Sequence, residues 1–384
     1  MTTAVRPSRR LVAAAVIMVI ADVLLVFSFA AHVQWGWHLL AAVLVFGGLA
    51  WWVRRDLGTV SLPAILMITV AVQMCGLLVF PLTSDDIYRY VWDGRVQVAG
   101  IDPYRFVPLD EALTFLRDAP LFPPGGPPAI NRPGVHTIYP PGAQALFTAV
   151  AFLVPASLGL AGLRVVAGAA VVITTVLLGR YLGPRRGLAL LYGANPLVMI
   201  EATNGGHLDA LVALAVLGVV WCTVSRRLWS AGLFLGLAAS LKLVPLLLVP
   251  VLLRRGRWRT SLTAVVITAA ALAVLAFVRS GHDPVPVTCC WLFGASLLVA
   301  TPVYPWYALP LAVLVIMSRR WEWLAVWAAA YAAFVFDHSP GVQIAAYGSA
   351  LAVVGVTTLW RLRASWRTPG PDATADGPVR SRAG

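Results

Sequence analysis

The chain has 384 residues, 60% of them hydrophobic and only 12% charged, with a formal net charge of +13. That composition excludes a soluble enzyme domain, whose core needs far less apolar sequence, and it describes a polytopic membrane protein. The positive charge does not argue for nucleic acid as a partner. The arginines fall in short clusters between apolar runs (Arg9 and Arg10, Arg54 and Arg55, Arg185 and Arg186, Arg226 and Arg227, 254–259, Arg319 and Arg320, 361–367), as expected of cytoplasmic loops.

The first apolar run, 11–31, follows Arg6, Arg9 and Arg10 and is long enough to span a bilayer but too long for the apolar part of a cleaved signal. It therefore reads as a first helix with a cytoplasmic N-terminus, carrying Asp22 near its middle. Helices are predicted next over 37–53 and 61–80, with Arg54, Arg55 and Asp56 between them. Three crossings place the following segment, 81–142, on the outer face. It is the one long polar interruption in the chain, and it holds none of the four cysteines (Cys75, Cys222, Cys289 and Cys290), so no disulfide staples it.

Beyond it, 143–182 is apolar apart from Arg164 and Arg180 and long enough for two passes, yet an outer start and a basic, cytoplasmic end require an odd number. A broken or tilted partner would satisfy both. Two helices are predicted over 187–225, flanking the polar patch NPLVMIEATNGGHLD at 195–209 on the same side as the large loop. The run 228–253 is too short for two full passes, and a hairpin of short helices around 240–245 fits it, with Lys242 at the tip. Helices over 262–278, 287–300, 306–317, 323–336 and 342–360 bring the total to roughly ten to twelve spanning or re-entrant segments. A basic, Pro- and Gly-rich tail, 361–384, is expected to be disordered on the cytoplasmic side.

The chemistry concentrates in the large loop. Over 85–98, Ile87, Val91, Gly94 and Val98 recur on one helical face, and Asp86, Arg89, Tyr90, Asp93 and Gln97 on the other. A helix of that length directly after a span lies on the bilayer surface rather than across it. Ser84 is suited to cap it, and Asp85 and Asp86 suit the dipole of its first turn. The same two carboxylates, together with Arg89, Arg95, Tyr88, Tyr90 and Trp92, also meet the needs of a site for a lipid-linked sugar phosphate. Guanidinium groups bind phosphate, rings cover sugar faces, and a carboxylate removes a proton from an attacking hydroxyl.

At the far end of the loop His136 and Tyr139 are placed to hydrogen-bond a substrate, and Pro141 suits the first turn of the next helix. Between the two ends, FPPGGPPAINRP can be neither helix nor central strand and reads as a cover. In the second patch Glu201, Asn204, His207 and Asp209 need polar partners in an apolar neighbourhood. His207 and Asp209 stand two apart on a turn, so no metal site is assigned, although a divalent cation is conceivable. Lys242, the sole lysine among 29 basic residues, is either a snorkelling chain or a phosphate contact. The aromatic segment with Tyr304, Trp306 and Tyr307 either lines a sugar or lipid groove or belongs to an interfacial belt.

SDDIYRYVWDGRVQVAGIDPYRF, HTIYPPG, NPLVMIEATNGGHLD, SLKLVP and PVYPWYALP together resemble bacterial GT-C-type glycosyltransferases that use polyprenyl-phosphate-mannose, including actinobacterial enzymes extending phosphatidylinositol mannosides and lipoglycans. The resemblance implies an all-α helical bundle in the cytoplasmic membrane. Such a protein moves a mannosyl residue from a polyprenyl-phosphate donor to a lipid or glycan acceptor at the outer face, with inversion. It implies a carboxylate of the first outer loop as general base, here Asp86 or Asp85, with Asp86 preferred. Arg89, Arg95 and Lys242 then become candidates for the donor phosphate. Asp93, Tyr90, Trp92, His136, Tyr139, Asn204, His207, Asp209, Tyr304 and Trp306 become candidates for sugar or acceptor. Arabinofuranosyl or glucosyl transfer on the same fold is an alternative, and a transporter or flippase of lipid-linked sugar is the rival from another class. Transporters often show two related halves, and none is visible in this sequence.

Overall fold

The computed structural model describes residues 8–31, 35–249, 284–336 and 339–367, and among these no strand occurs. The helix expected over 262–278 and the tail beyond 367 lie outside the described residues. Helices α1 (Arg9–Ala30), α2 (Trp35–Trp52) and α3 (Leu62–Gly76) follow one another, and α3 starts on Ser61, whose side chain accepts from the Ala64 amide at 3.3 Å. The expected span 61–80 is shorter than predicted. Arg164 donates to the carbonyls of Gly76 and Val79, and Asn204 donates to those of Gly76 and Phe80, so the chain leaves the helix at Gly76 with its terminal carbonyls satisfied from the side.

The amphipathic segment forms α4 (Asp86–Val98), one residue shorter than expected. Asp85 occupies the N-cap without a side-chain bond, and Ser84 Oγ accepts from the Asp86 amide at 3.1 Å. Pro141 opens α5 (Pro141–Leu153) as its sequence position suggested, and α6 (Gly159–Leu182) follows. These two helices divide 143–182 between them. At about 1.5 Å per residue α5 is only about 20 Å long, short of a bilayer. It lies beside α4, with Phe147 stacked on Tyr90 at 4.7 Å and Gln97 bonded to Gln144 at 2.7 Å. Just past its end, the Ala156 carbonyl accepts from Arg95 at 3.0 Å. Both ends of α5 therefore stay with α4, and α6 is the single helix in this stretch long enough to cross.

After α7 (Leu190–Gly193) and α8 (Pro196–Val198) comes a π-helical turn, Met199–Asn204, before α9 (Asp209–Val224). The axis bends by 114° between Pro196–Asn204 and Asp209–Val224. Gly206 makes the bend at φ 69, in the left-handed region, and a side chain there would strike Ile87 of α4. Where a hairpin of short helices was expected over 228–253, the described residues form α10 (Leu228–Leu241) and a 3-10 turn, Val244–Leu248, with Lys242 extended at the break; residues 250–253 lie outside the described residues. Then come α11 (Val285–Val299), a 3-10 turn Pro305–Ala308, α12 (Leu309–Ser318), α13 (Leu324–Val335) and α14 (Pro340–Arg367). Because α14 continues to Arg367, the first basic residues of the expected disordered tail are helical.

Arg9–Ser28, Ala156–Gly193 and Pro340–Arg361 are long and apolar enough to cross a membrane, with a fourth span if the bent pair counts as one. Other apolar helices run to 10–17 residues, so the bundle combines full spans with short and broken ones. One large core joins α1, α3, α6, α9, α12 and α13, and a smaller one joins α4, α5 and the large loop. The functional features collect where these two cores meet.

Candidate functional site

The loop between α4 and α5 is packed rather than loose. Leu113, Leu121 and Ile130 are buried against Trp92 and its neighbours on α4, and the Ala129 amide donates to the Leu121 carbonyl at 2.9 Å. Hydrophobic residues spread along the loop therefore anchor it, and its far end lines a cavity of about 590 Å3. Segments far apart in sequence line this cavity: Ser84, Asp85, Asp86 and Arg89 from α4 and its approach, Asn131, Arg132 and 135–140 from the loop, Lys242 from the α10 break, and Tyr304, Trp306 and Tyr307 with Phe334.

Asp86 faces this space half-buried, and Asn131 donates its amide to Oδ1. Burial pushes the Asp86 carboxyl above the ordinary carboxylate range; Lys242 and the Asn131 hydrogen bond partly oppose this, and the charges of Asp85 and Asp209 add to it. Asp85 is exposed at the rim. Lys242 Nζ lies 2.6 Å from Asp209 Oδ2 and 3.8 Å from the centre of the Tyr307 ring. The ammonium is thus held at the cavity wall by a buried carboxylate below and a ring beside it. Three rings form a parallel stack: His207 on Trp306 at 4.0 Å and Trp306 on Tyr304 at 4.5 Å. Tyr304, 41% exposed, is the outermost.

Of the other sequence candidates, Arg89, His136 and Tyr139 line the cavity and the rest sit behind its wall or away from it. Arg89 lines the cavity, but its Nε is bonded to Asp93 at 2.9 Å and Nη1 to the Val135 carbonyl at 3.0 Å. Asp93 also accepts from Thr137 at 2.6 Å and Gln144 at 3.0 Å, so it ties α4 to both the loop and α5. Tyr90 packs against Phe147 and Tyr139, and Trp92 against Phe122, both fully buried. Arg95 points away from the cavity and pairs with Asp118 at 2.7 Å. Asn204 accepts from the Leu82 amide at 3.0 Å besides holding the end of α3. Glu201 accepts from Tyr331 and, at 3.4 Å, from Thr83, with His207 Nε2 at 3.5 Å. His136 and Tyr139 line the cavity, and the Tyr139 carbonyl accepts from Tyr104 at 2.6 Å. Among the described residues no group of three or more His, Cys, Asp or Glu is arranged to hold a metal.

Sequence reasoning missed Asn131, Arg132 and Phe334 as cavity residues, and Tyr307 as the ring against Lys242. Asn131 and Arg132 are the two polar residues in FPPGGPPAINRP, and their isolation there was the available signal.

No curated protein and no solved structure matches the chain. Residues 137–287 match the family described as Glycosyltransferase family 87. That range includes Tyr139, Asp209 and Lys242 and begins after Asp86. Together with the apolar helices, the match supports a multi-pass membrane glycosyltransferase of the GT-C type, a kind of enzyme that takes a lipid-linked sugar donor.

Proposed function

We propose that the protein is an inverting mannosyltransferase that takes mannose from a polyprenyl-phosphate donor and gives it to a lipid or glycan acceptor at the outer face of the cytoplasmic membrane. Asp86 is the general base. The observation that carries this reading is one cavity, of about 590 Å3, onto which a half-buried carboxylate (Asp86), an anchored ammonium (Lys242) and a stack of rings ending in Tyr304 all open. Its volume suits a sugar and its phosphate.

The acceptor hydroxyl attacks the anomeric carbon from the face opposite the phosphate. The new C–O bond forms as the bond to the phosphate oxygen breaks, the electron pair leaves with the phosphate, and Asp86 takes the hydroxyl proton. A carboxyl raised by burial is a stronger base once ionised than an exposed one, which suits a hydroxyl proton near neutral pH. Lys242 faces the departing phosphate, where a positive charge in a partly dry site stabilises the developing anion. Arg89 stands at the same wall, with Asp93 fixing its orientation. Tyr304, Trp306, His136 and Tyr139 contact sugar or acceptor, whereas Tyr90, Trp92, Arg95, Asn204, His207 and Asp209 hold the wall in shape.

The test offers membranes containing the protein radiolabelled polyprenyl-phosphate mannose, arabinofuranose and glucose in parallel. Label from the mannose donor is expected in a lipid or glycan product. Transfer from the arabinofuranose or glucose donor alone would replace the sugar. Movement of intact donor across the bilayer with no product would overturn the reading in favour of a transporter.

A further inference from the structure

We propose that Asn131 is a positioning residue for Asp86, an inference that rests on Asp86 being the base of the proposed reaction. The Asn131 Nδ2 donates to Asp86 Oδ1. A donor on one oxygen fixes the plane of the carboxylate and leaves Oδ2 to the acceptor hydroxyl, which is the orientation a general base needs.

The loop delivers Asn131 from a firm seat. Ile130 beside it is 2% exposed within the α4 cluster. Two residues further on, the Pro133 carbonyl accepts from the Leu109 amide at 3.1 Å. Arg132 adopts φ 43, a left-handed conformation that a residue other than glycine keeps only where its surroundings impose it. The Pro/Gly-rich cover is therefore attached to the base itself, and its packing is read out at Asp86.

Several charged and titratable groups surround the same carboxylate. Asp85 and Tyr90 from its own segment, Lys242 from the α10 break, Asp209 from α9, Tyr139 ahead of α5 and Tyr307 interact with it electrostatically, and Arg89, Arg132 and His136 share the cavity wall. Asn131 differs from them in being a neutral donor bonded directly to the carboxylate. A hydrogen bond of this kind favours the ionised form, so its loss lifts the pH at which the base becomes protonated.

The experiment measures kcat and KM for polyprenyl-phosphate mannose against pH, in the full-length protein, for wild type, Asn131→Ala, Asn131→Asp and Asp86→Asn. Asn131→Ala is expected to lower kcat about tenfold or more, with KM for the donor nearly unchanged and the acid limb moved to higher pH. Asn131→Asp should move that limb further, because two adjacent carboxylates compete for one proton; being isosteric, it also carries the test if the alanine variant does not fold. Wild-type kcat and an unmoved limb in both variants, with Asp86→Asn inactive, would overturn the role of Asn131 and leave the reaction standing. A uniform loss at every pH would mark a merely structural contact and overturn it as well. Full activity of Asp86→Asn would instead remove the reading on which the inference rests.

Discussion

Asp209 and Lys242 show how a single pair decides what a wall residue can do. The side chains are 3% and 17% exposed, and neither belongs in an apolar bundle alone. Removing the lysine strands a buried carboxylate, so Lys242→Met is expected to destabilise the protein by about 3 kcal/mol. The double variant Lys242→Met, Asp209→Asn should recover much of that loss, because the uncompensated charge is gone. Thermal unfolding of the detergent-solubilised variants checks this; equal melting of the single and double variants would show that the pair is not energetically coupled. At this scale the sequence was legible where chemistry and isolation coincide: Asp86, Lys242, Tyr304 and Trp306 all reach the cavity. Polarity alone is a weaker guide. Asp93, Asn204 and His207 look as reactive on paper, but each is buried behind the wall. Arg95 is partnered with Asp118 on the other side of α4.

The paired helices α4 and α5 are the element on which the cavity stands. Gly94 lets them approach, for a methyl there would run into the backbone carbonyl of Phe147. Gly94→Ala should therefore push α5 away and cost about 1–3 kcal/mol, as overpacking does. Gly48→Ala in α2, where a methyl would meet nothing, should be neutral or slightly stabilising. Comparing the two melting temperatures tests the argument, and an equally stable Gly94→Ala would refute it. The existence and bounds of α4 were readable because its polar and apolar residues repeat at helical spacing. The separation of α5 from α6 was not: the sequence of α5 is largely apolar and runs on into α6, so composition joined what packing separates. The truncation of α3 at Gly76 was hidden for a related reason, because the groups that receive its carbonyls, Arg164 and Asn204, come from distant helices.

For the whole molecule, the arrangement is one in which distant segments meet only on folding. The π-helical turn at Met199–Asn204 and the bend at Gly206 bring Asp209 under Lys242 and His207 under Trp306. The loop, closed over α4 by its own buried leucines and Ile130, supplies the opposite wall. Periodicity and apolar length revealed the helical membrane architecture and the break at Lys242. Which polar residues would share one cavity depended on these bends and breaks. The account turns on Asp86 acting as base in that cavity. The most direct test is the rate of mannosyl transfer from polyprenyl-phosphate mannose by purified wild type, Asp86→Asn and Asp85→Asn at equal amounts of folded protein. A loss of about 10²–10⁴-fold is expected for Asp86→Asn, with Asp85→Asn keeping most of its rate because that carboxylate is exposed at the rim. Wild-type turnover by Asp86→Asn, or inactivity confined to Asp85→Asn, would contradict it.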